Sequence, residues 1–295
     1  MTWIRNRIGW SAAAVLAVTV AAFAPAAAAG ESDDYQKLLA ERAPALVTVK
    51  FVLKIKMGGF MRGMGDQESE NEITGIMISP QGLVLCSNTQ LVGFTGMMRQ
   101  MMGSRGGEIS ATPTDIKVLI GDDTEGVDAE VIARDTELDL AWVRITDPGD
   151  KTFTYVNFSD AAEPSIGQRL VAIRRMGKYF ARSAVIAEGR MGGKTNKPRN
   201  LYVPTGDLRG VLGLPVYTQS GQVVGVTILQ MPDAEDGGGN PMGMFGMMGN
   251  ISSMQDMMAG LILPAAEVVK ATQRAVQSAE SDTGSEIGEH SEERE

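Results

Sequence analysis

The sequence predicts an all-β protein, a barrel or sandwich closed by one helix, and three observations carry that prediction. Short apolar runs recur along the chain, each ended by a turn rich in Gly, Asp or Pro. Apolar residues take helical spacing in one place only, near the C-terminus. The composition, 43% hydrophobic and 21% charged, suits a folded body with a sizeable core.

The elements follow in chain order. Arg5 and Arg7 precede an apolar run from Ser11 to Phe23 and small residues ending in Ala27-Ala28-Ala29. A basic start, an apolar middle and an A-x-A end read as a secretory signal peptide over residues 1–29. The run is short for a bilayer span, which weighs against the alternative of a retained anchor. Strands are expected at 45–53, 75–78, 83–86, 117–120, 127–133 and 141–145. A second set is expected at 169–173, 183–188, 201–203, 215–218, 222–229 and 260–263. Past Pro264, the apolar residues Ala265, Val268, Val269, Val276 and Ala279 share one helical face, with Thr272 among them. A helix is therefore expected over 265–279, and a disordered acidic tail over 280–295.

Charge and cysteine narrow the function. The net charge is −9, and loss of residues 1–29 would remove two arginines and no acid, leaving −11. The tail from Glu280 to Glu295 holds seven acids against Arg294, so about half of the excess lies there and the body is only mildly acidic. Nucleic acid is not expected as a partner, since phosphate binding wants a basic face. The single cysteine, Cys86, excludes an internal disulfide and sits in an apolar run, as a buried thiol would.

Three segments break the strand order: 57–65, 97–107 and 231–258. They hold 15 of the 19 methionines and much glycine. Glycine loosens the backbone and methionine adds adaptable apolar surface, so these read as loops that offer contact.

Several motifs together resemble the trypsin-like serine proteases of the HtrA/Deg type. Residues 75–82 (GIMISPQG) resemble the strand and turn before that family's catalytic histidine. Ser87-Asn88-Thr89-Gln90-Leu91-Val92 then lies on T-N-x-H-V-V, with Gln90 at the histidine position and Thr89 as the alternative occupant. Asp135-Thr136-Glu137-Leu138-Asp139-Leu140-Ala141 is similar to D-x-x-x-D-L-A and sets Asp139 at the catalytic aspartate. Residues 167–173 (GQRLVAI) resemble the strand G-x-x-V-x-A-I. Gly210-Val211-Leu212-Gly213-Leu214-Pro215 lies on G-N-S-G-G-P, with Leu212 in place of the serine, and residues 260–264 resemble the final G-x-x-I-P strand.

This resemblance spans residues 40–279 and implies two packed six-stranded antiparallel β-barrels, at 34–148 and 151–264. The PDZ domain that usually follows in that family is not expected here, since a short acidic tail follows the helix. The resemblance also implies an inactive homologue. The chain's one histidine is His290, in the acidic tail, and a serine hydroxyl needs a positioned base to attack a carbonyl. No catalytic residue is therefore expected; Gln90, Asp139 and Leu212 stand as degenerate triad positions, with Asp139 a buried carboxylate that Gln90 could hydrogen-bond.

The expected function is binding of a peptide or protein partner by an exported, periplasmic or secreted scaffold, not held on the membrane once residues 1–29 are cleaved. Met97, Met98, Met101, Met102, Met242, Met244, Phe245, Met247 and Met248 are the candidate contacts. Alternatives are Cu(I) held by those same thioethers, methionines serving as an oxidant sink, loops of merely biased composition, or a serine endopeptidase with an atypical site. No cofactor is expected, and the oligomeric state is left open.

Overall fold

Alternation shapes the first strand. In β1 (Leu46–Lys56) Val47, Val49, Phe51 and Leu53 are buried on one face, while Lys50, Lys54 and Lys56 stay towards solvent. The computed structural model describes residues 26–56, 66–93, 110–230 and 260–292. β2 (Gln67–Met77), β3 (Leu83–Ser87), β4 (Ser110–Ile120), β5 (Val127–Asp135) and β6 (Leu140–Ile145) complete a closed antiparallel barrel in the order β1-β2-β3-β6-β5-β4. β7 (Arg169–Arg175), β8 (Ala184–Thr195), β9 (Leu201–Gly206), β10 (Pro215–Thr218), β11 (Val223–Leu229) and β12 (Gly260–Pro264) close a second, ordered β10-β11-β12-β9-β8-β7. The predicted two six-stranded barrels and closing helix are thus present.

Three strands reach well past their apolar runs: β8 continues to Thr195 rather than 188, paired with β9. β2 begins at Gln67 rather than 75, because its polar half pairs with β1 in the register Lys50↔Glu72 and Lys54↔Glu68. Lys50 meets Glu70 at 3.3 Å and Lys54 meets Glu68 at 3.6 Å, cross-strand pairs that apolar periodicity does not register. β4 likewise starts at Ser110 rather than 117, along the far edge of β1.

The core has two parts. One fills the first barrel around Val49, Phe51, Val84, Cys86 and Val143. The other runs from the second barrel's interior, with Val171, Val216 and Val226, across to Leu46, Ile76, Leu85 and Trp142 of the first. The barrels therefore share apolar contact, and each buried Val or Leu contributes about 1.5–3 kcal/mol.

Helices pack on the outside. α1 (Ala26–Arg42) was not anticipated; its apolar stripe is only Tyr35, Leu38 and Leu39 in a polar segment. Leu38 is buried, the Tyr35 hydroxyl donates to Glu188 at 3.0 Å, and Arg42 donates to the Gly221 carbonyl at 3.0 Å. These contacts dock α1 on the second barrel, past the expected limit of residue 29. α2 (Ala265–Glu292) buries Ala265, Val268, Ala271 and Ala275 against β5, β11 and β12. Its Thr272, polar on an apolar face, accepts the Trp142 indole N–H at 3.0 Å. The helix continues to Glu292, so the segment expected as a disordered tail is helical over 280–292. Once a helix is nucleated by packing, each further residue adds a bond, and Glu and Ser without proline do not stop it.

Candidate functional site

The site is built where β3, β6 and β11 meet. β5 ends at Asp135, whose carboxylate accepts the N–H groups of Glu137 (3.1 Å) and Leu138 (2.9 Å) and so turns the chain. The chain enters β6 through Asp139 in left-handed conformation, φ 54°, which aspartate tolerates better than most residues. That reversal carries the Asp139 side chain inward, where it is 2% exposed.

On the facing strand, Ser87 ends β3 and caps a helical turn over residues 88–93: its hydroxyl oxygen accepts the Gln90 N–H at 3.2 Å. The same hydroxyl donates to the Asp139 carboxylate, at 2.9 and 3.1 Å to its two oxygens. The Thr89 N–H donates to Asp139 Oδ1 at 2.7 Å, and the Leu229 N–H, from the second barrel, to Oδ2 at 3.0 Å. Burial holds the Asp139 carboxyl above the usual carboxylate range, outweighing the downward pull of the Thr89 and Leu229 N–H groups and of the Thr89 and Ser87 side chains. The structure thus corrects the expected partner: the bonds to Asp139 come from Ser87, Thr89 and Leu229, and not from the Gln90 amide. Gln90 instead lines a cavity.

The second barrel supplies the loop carrying Leu212. Thr227 clamps it: the Gly213 N–H donates to the Thr227 carbonyl at 2.7 Å, and the Leu214 N–H to the Thr227 hydroxyl at 3.1 Å. Gly213 has φ +70°, and a Cβ there would lie 2.9 Å from both the Cβ and the N of Ser87. Only a glycine lets this loop lie against the end of β3. Leu212 and Gln90 then line one cavity of about 440 Å³ between the barrels, with Glu72, Arg174, Arg175 and Arg182 also in its wall. The three expected positions are therefore brought together: Gln90 and Leu212 share a cavity, and Asp139 holds the residue before Gln90.

Arginines shape the cavity's far wall. Arg182 is bound to Glu72 through two bonds, Nη2 to Oε1 at 2.7 Å and Nε to Oε2 at 3.2 Å. Arg175 donates to the carbonyls of Leu46 (2.8 Å), Ala43 (3.2 Å) and Arg182 (3.2 Å). Burial lowers its pKa; Asp122 opposes that and Arg182 adds to it. Sequence reasoning passed over these arginines, although the Arg174-Arg175 doublet is visible. It also passed over Ser87 as a donor, although Ser87-Asn88-Thr89-Gln90 has the S-x-x-Q form of a capping box.

Cys86 is buried, its thiol 3.7 Å from the Ala141 carbonyl and pushed up to about 12, by burial first and then by Asp139. It is no nucleophile. The methionine segments, including Met97, Met98, Met101, Met102, Met242, Met244, Phe245, Met247 and Met248, lie outside the described residues. Their attachment points are described. The second leaves from Gly93, at the end of the turn that bears Gln90. The third leaves after Leu229 and returns at Gly260, where a Cβ would sit 2.9 Å from the Val211 carbonyl. Gly260 thus lies against Val211, which lines the cavity, and Gly93 is three residues past Gln90, which also lines it. The first is rooted at the β1–β2 tip, five residues from Glu72 along β2, or about 17 Å.

Residues 73–226 match a family model described as the trypsin-like peptidase domain. Among solved structures, the chain is similar to the MamO protease domain from Magnetospirillum magneticum in its apo form. The identity is 16%, over 78% of this chain and 97% of that one, with a TM-score of 0.45. It is also similar to Deg5, with 15% identity over 67% of this chain and 85% of that one, and the same TM-score of 0.45. No curated protein sequence matches it.

Proposed function

The chain belongs to the trypsin-like peptidase domain family, and from that premise we propose that it is an exported, catalytically inactive member that binds peptide or protein segments in the cleft between its barrels. One observation carries the reading. The cavity holding Gln90 and Leu212 offers no imidazole, amine or thiol among its described lining residues. Its two hydroxyls, Thr48 and Thr74, have no base beside them in that wall, because Glu72 is engaged by Arg182. Nucleophilic attack needs both an activated nucleophile and a positioned base.

His290 does not supply one. It is not among the cavity's described lining residues, and it lies on α2, 15 residues past the buried Ala275, or about 22 Å along an ideal helix. Contact is what the cleft retains, and the methionine segments, by their composition, would add adaptable apolar surface to it. Export rests on the basic and apolar pattern of residues 1–29.

The test is incubation of the full chain with denatured casein, following cleavage and retention together, beside labelling with a fluorophosphonate. Retention without cleavage or label is expected. Cleavage abolished by substituting a serine of this chain would overturn inactivity, and failure to retain casein would overturn the binding role.

A further inference from the structure

The cavity differs in charge from the molecule around it. The whole chain carries −9, yet the described lining residues include three arginines and one carboxylate, Glu72. Glu72 is neutralised by Arg182. Arg175 is held by three backbone carbonyls, which stabilise its charge without cancelling it. Arg174 is exposed and has no hydrogen-bond or ion-pair partner among the described residues. Two positive charges therefore face a partly enclosed space bounded by low-dielectric walls, where a charge acts more strongly than on open surface.

Beside them the β7–β8 loop presents apolar area. Its stem residues Met176, Gly177 and Arg182 line the cavity, and at its tip Tyr179 is 92% and Phe180 55% exposed, the rings 5.1 Å apart in an edge-to-face pair. The loop is held in an uncommon shape. Ala181 (φ 50°) and Arg182 (φ 49°) are consecutive left-handed residues, kept there by the Arg182–Glu72 bonds and by Arg175 on the Arg182 carbonyl. Such strain is tolerated where surrounding contacts impose it, and it clusters at ligand clamps. The result is a fixed loop that follows Arg174 in sequence, lines the cavity with its stem and bears two exposed aromatic rings at its tip.

We propose that the cleft selects acidic peptide segments, a carboxylate of the ligand pairing with Arg174 while a neighbouring apolar side chain rests on Tyr179 and Phe180. This rests on the peptide-binding reading above and names the ligand class. Charge complementarity decides the class: a basic segment would meet the Arg174–Arg175 pair, and a neutral one would leave Arg174 unpaired. A planar guanidinium takes a carboxylate through two parallel bonds, which fixes orientation as well as charge.

The experiment compares three fluorescein-labelled peptides by anisotropy with the full chain at low salt. They share alternate Leu residues and carry Glu, Gln or Lys at the intervening positions. The Glu peptide is expected to bind at least about tenfold more tightly than the Gln peptide, and the Lys peptide more weakly still. Arg174→Glu, on an exposed side chain, should abolish or reverse that preference, the Glu peptide losing more affinity than the Gln peptide. Tyr179→Ser with Phe180→Ser should weaken the Glu and Gln peptides together. Equal binding of the Glu and Gln peptides, or a preference that survives Arg174→Glu, would overturn the acidic selectivity and leave peptide binding standing. Absence of binding by all three would overturn both.

Discussion

Replacing Asp139 with alanine tests whether its carboxylate joins the barrels. The substitution removes the acceptor of three donors: the Ser87 hydroxyl, the Thr89 N–H and the Leu229 N–H. Each buried donor left without a partner costs about 1–3 kcal/mol. The lower end of that range for all three gives about 3 kcal/mol, to which the small void adds. Against this stands the relief of a buried charge, which burial has already made costly. A net loss of about 2–4 kcal/mol is expected. Trp142, three residues along β6 and buried, reports unfolding by its fluorescence in urea. With a slope of about 2 kcal/mol per molar urea, the midpoint should fall by roughly 1–2 M at unchanged slope. A loss below about 1 kcal/mol would mean that the donors find other partners, and the joint would not be one.

Three further outcomes follow from the same contacts. The folded pKa of Asp139 is raised, so its contribution to stability is full below the unfolded value near 3.8 and is lost as pH rises through the folded value; the stability advantage of the wild type over Asp139→Asn should therefore grow as pH falls from 7 towards about 4, and an advantage that shrinks would refute the sign. Thr272→Val keeps the shape of the α2 face but strands the Trp142 indole N–H, and should cost about 1–2 kcal/mol in urea unfolding, whereas Thr272→Ser should cost less. Gly213→Ala forces a Cβ into Ser87 at positive φ and should lower stability by at least about 1–3 kcal/mol; a thermal midpoint within a degree of wild type would show that the two loops are not pressed together.

Much of this fold was legible because its strands are amphipathic or apolar. Each of the twelve strands among the described residues contains an apolar run with a turn signal beside it, and those runs located them. What periodicity missed has specific causes. The first half of β2, Gln67-Glu68-Ser69-Glu70-Asn71-Glu72, has no apolar residue and is a strand because β1 offers lysines in register with it. α1 shows three large apolar residues, Tyr35, Leu38 and Leu39, and only the second barrel's surface makes them a stripe. The site was legible as positions and not as bonds. Gln90, Asp139 and Leu212 were found through motifs, but the place of Gln90 in the cavity lining depends on the helical turn that Ser87 caps. Arg174, Arg175 and Arg182 converge only through the β7–β8 loop and its bond to β2, which no local pattern reports.

The buried Asp139 carboxylate and the arginines that line the cleft differ in what they still have to offer. Asp139 accepts from Ser87, Thr89 and Leu229, groups drawn from both barrels, and these bonds hold the end of β3 against β11. A ligand reaching that carboxylate would have to displace a donor to gain one, so little binding energy is available there. The arginines are arranged the other way. Arg175 and Arg182 are spent on carbonyls and on Glu72 to fix the loop, while Arg174 beside them is left unpaired among the described residues. A ligand gains most by pairing a group that water alone has satisfied and that the fold already holds in place. Recognition is therefore expected at the arginines that line the cleft, and structural integrity at Asp139, buried behind the Gln90 turn. Substitutions should separate accordingly: those at Arg174 should change affinity at constant stability, and those at Asp139 should change stability first.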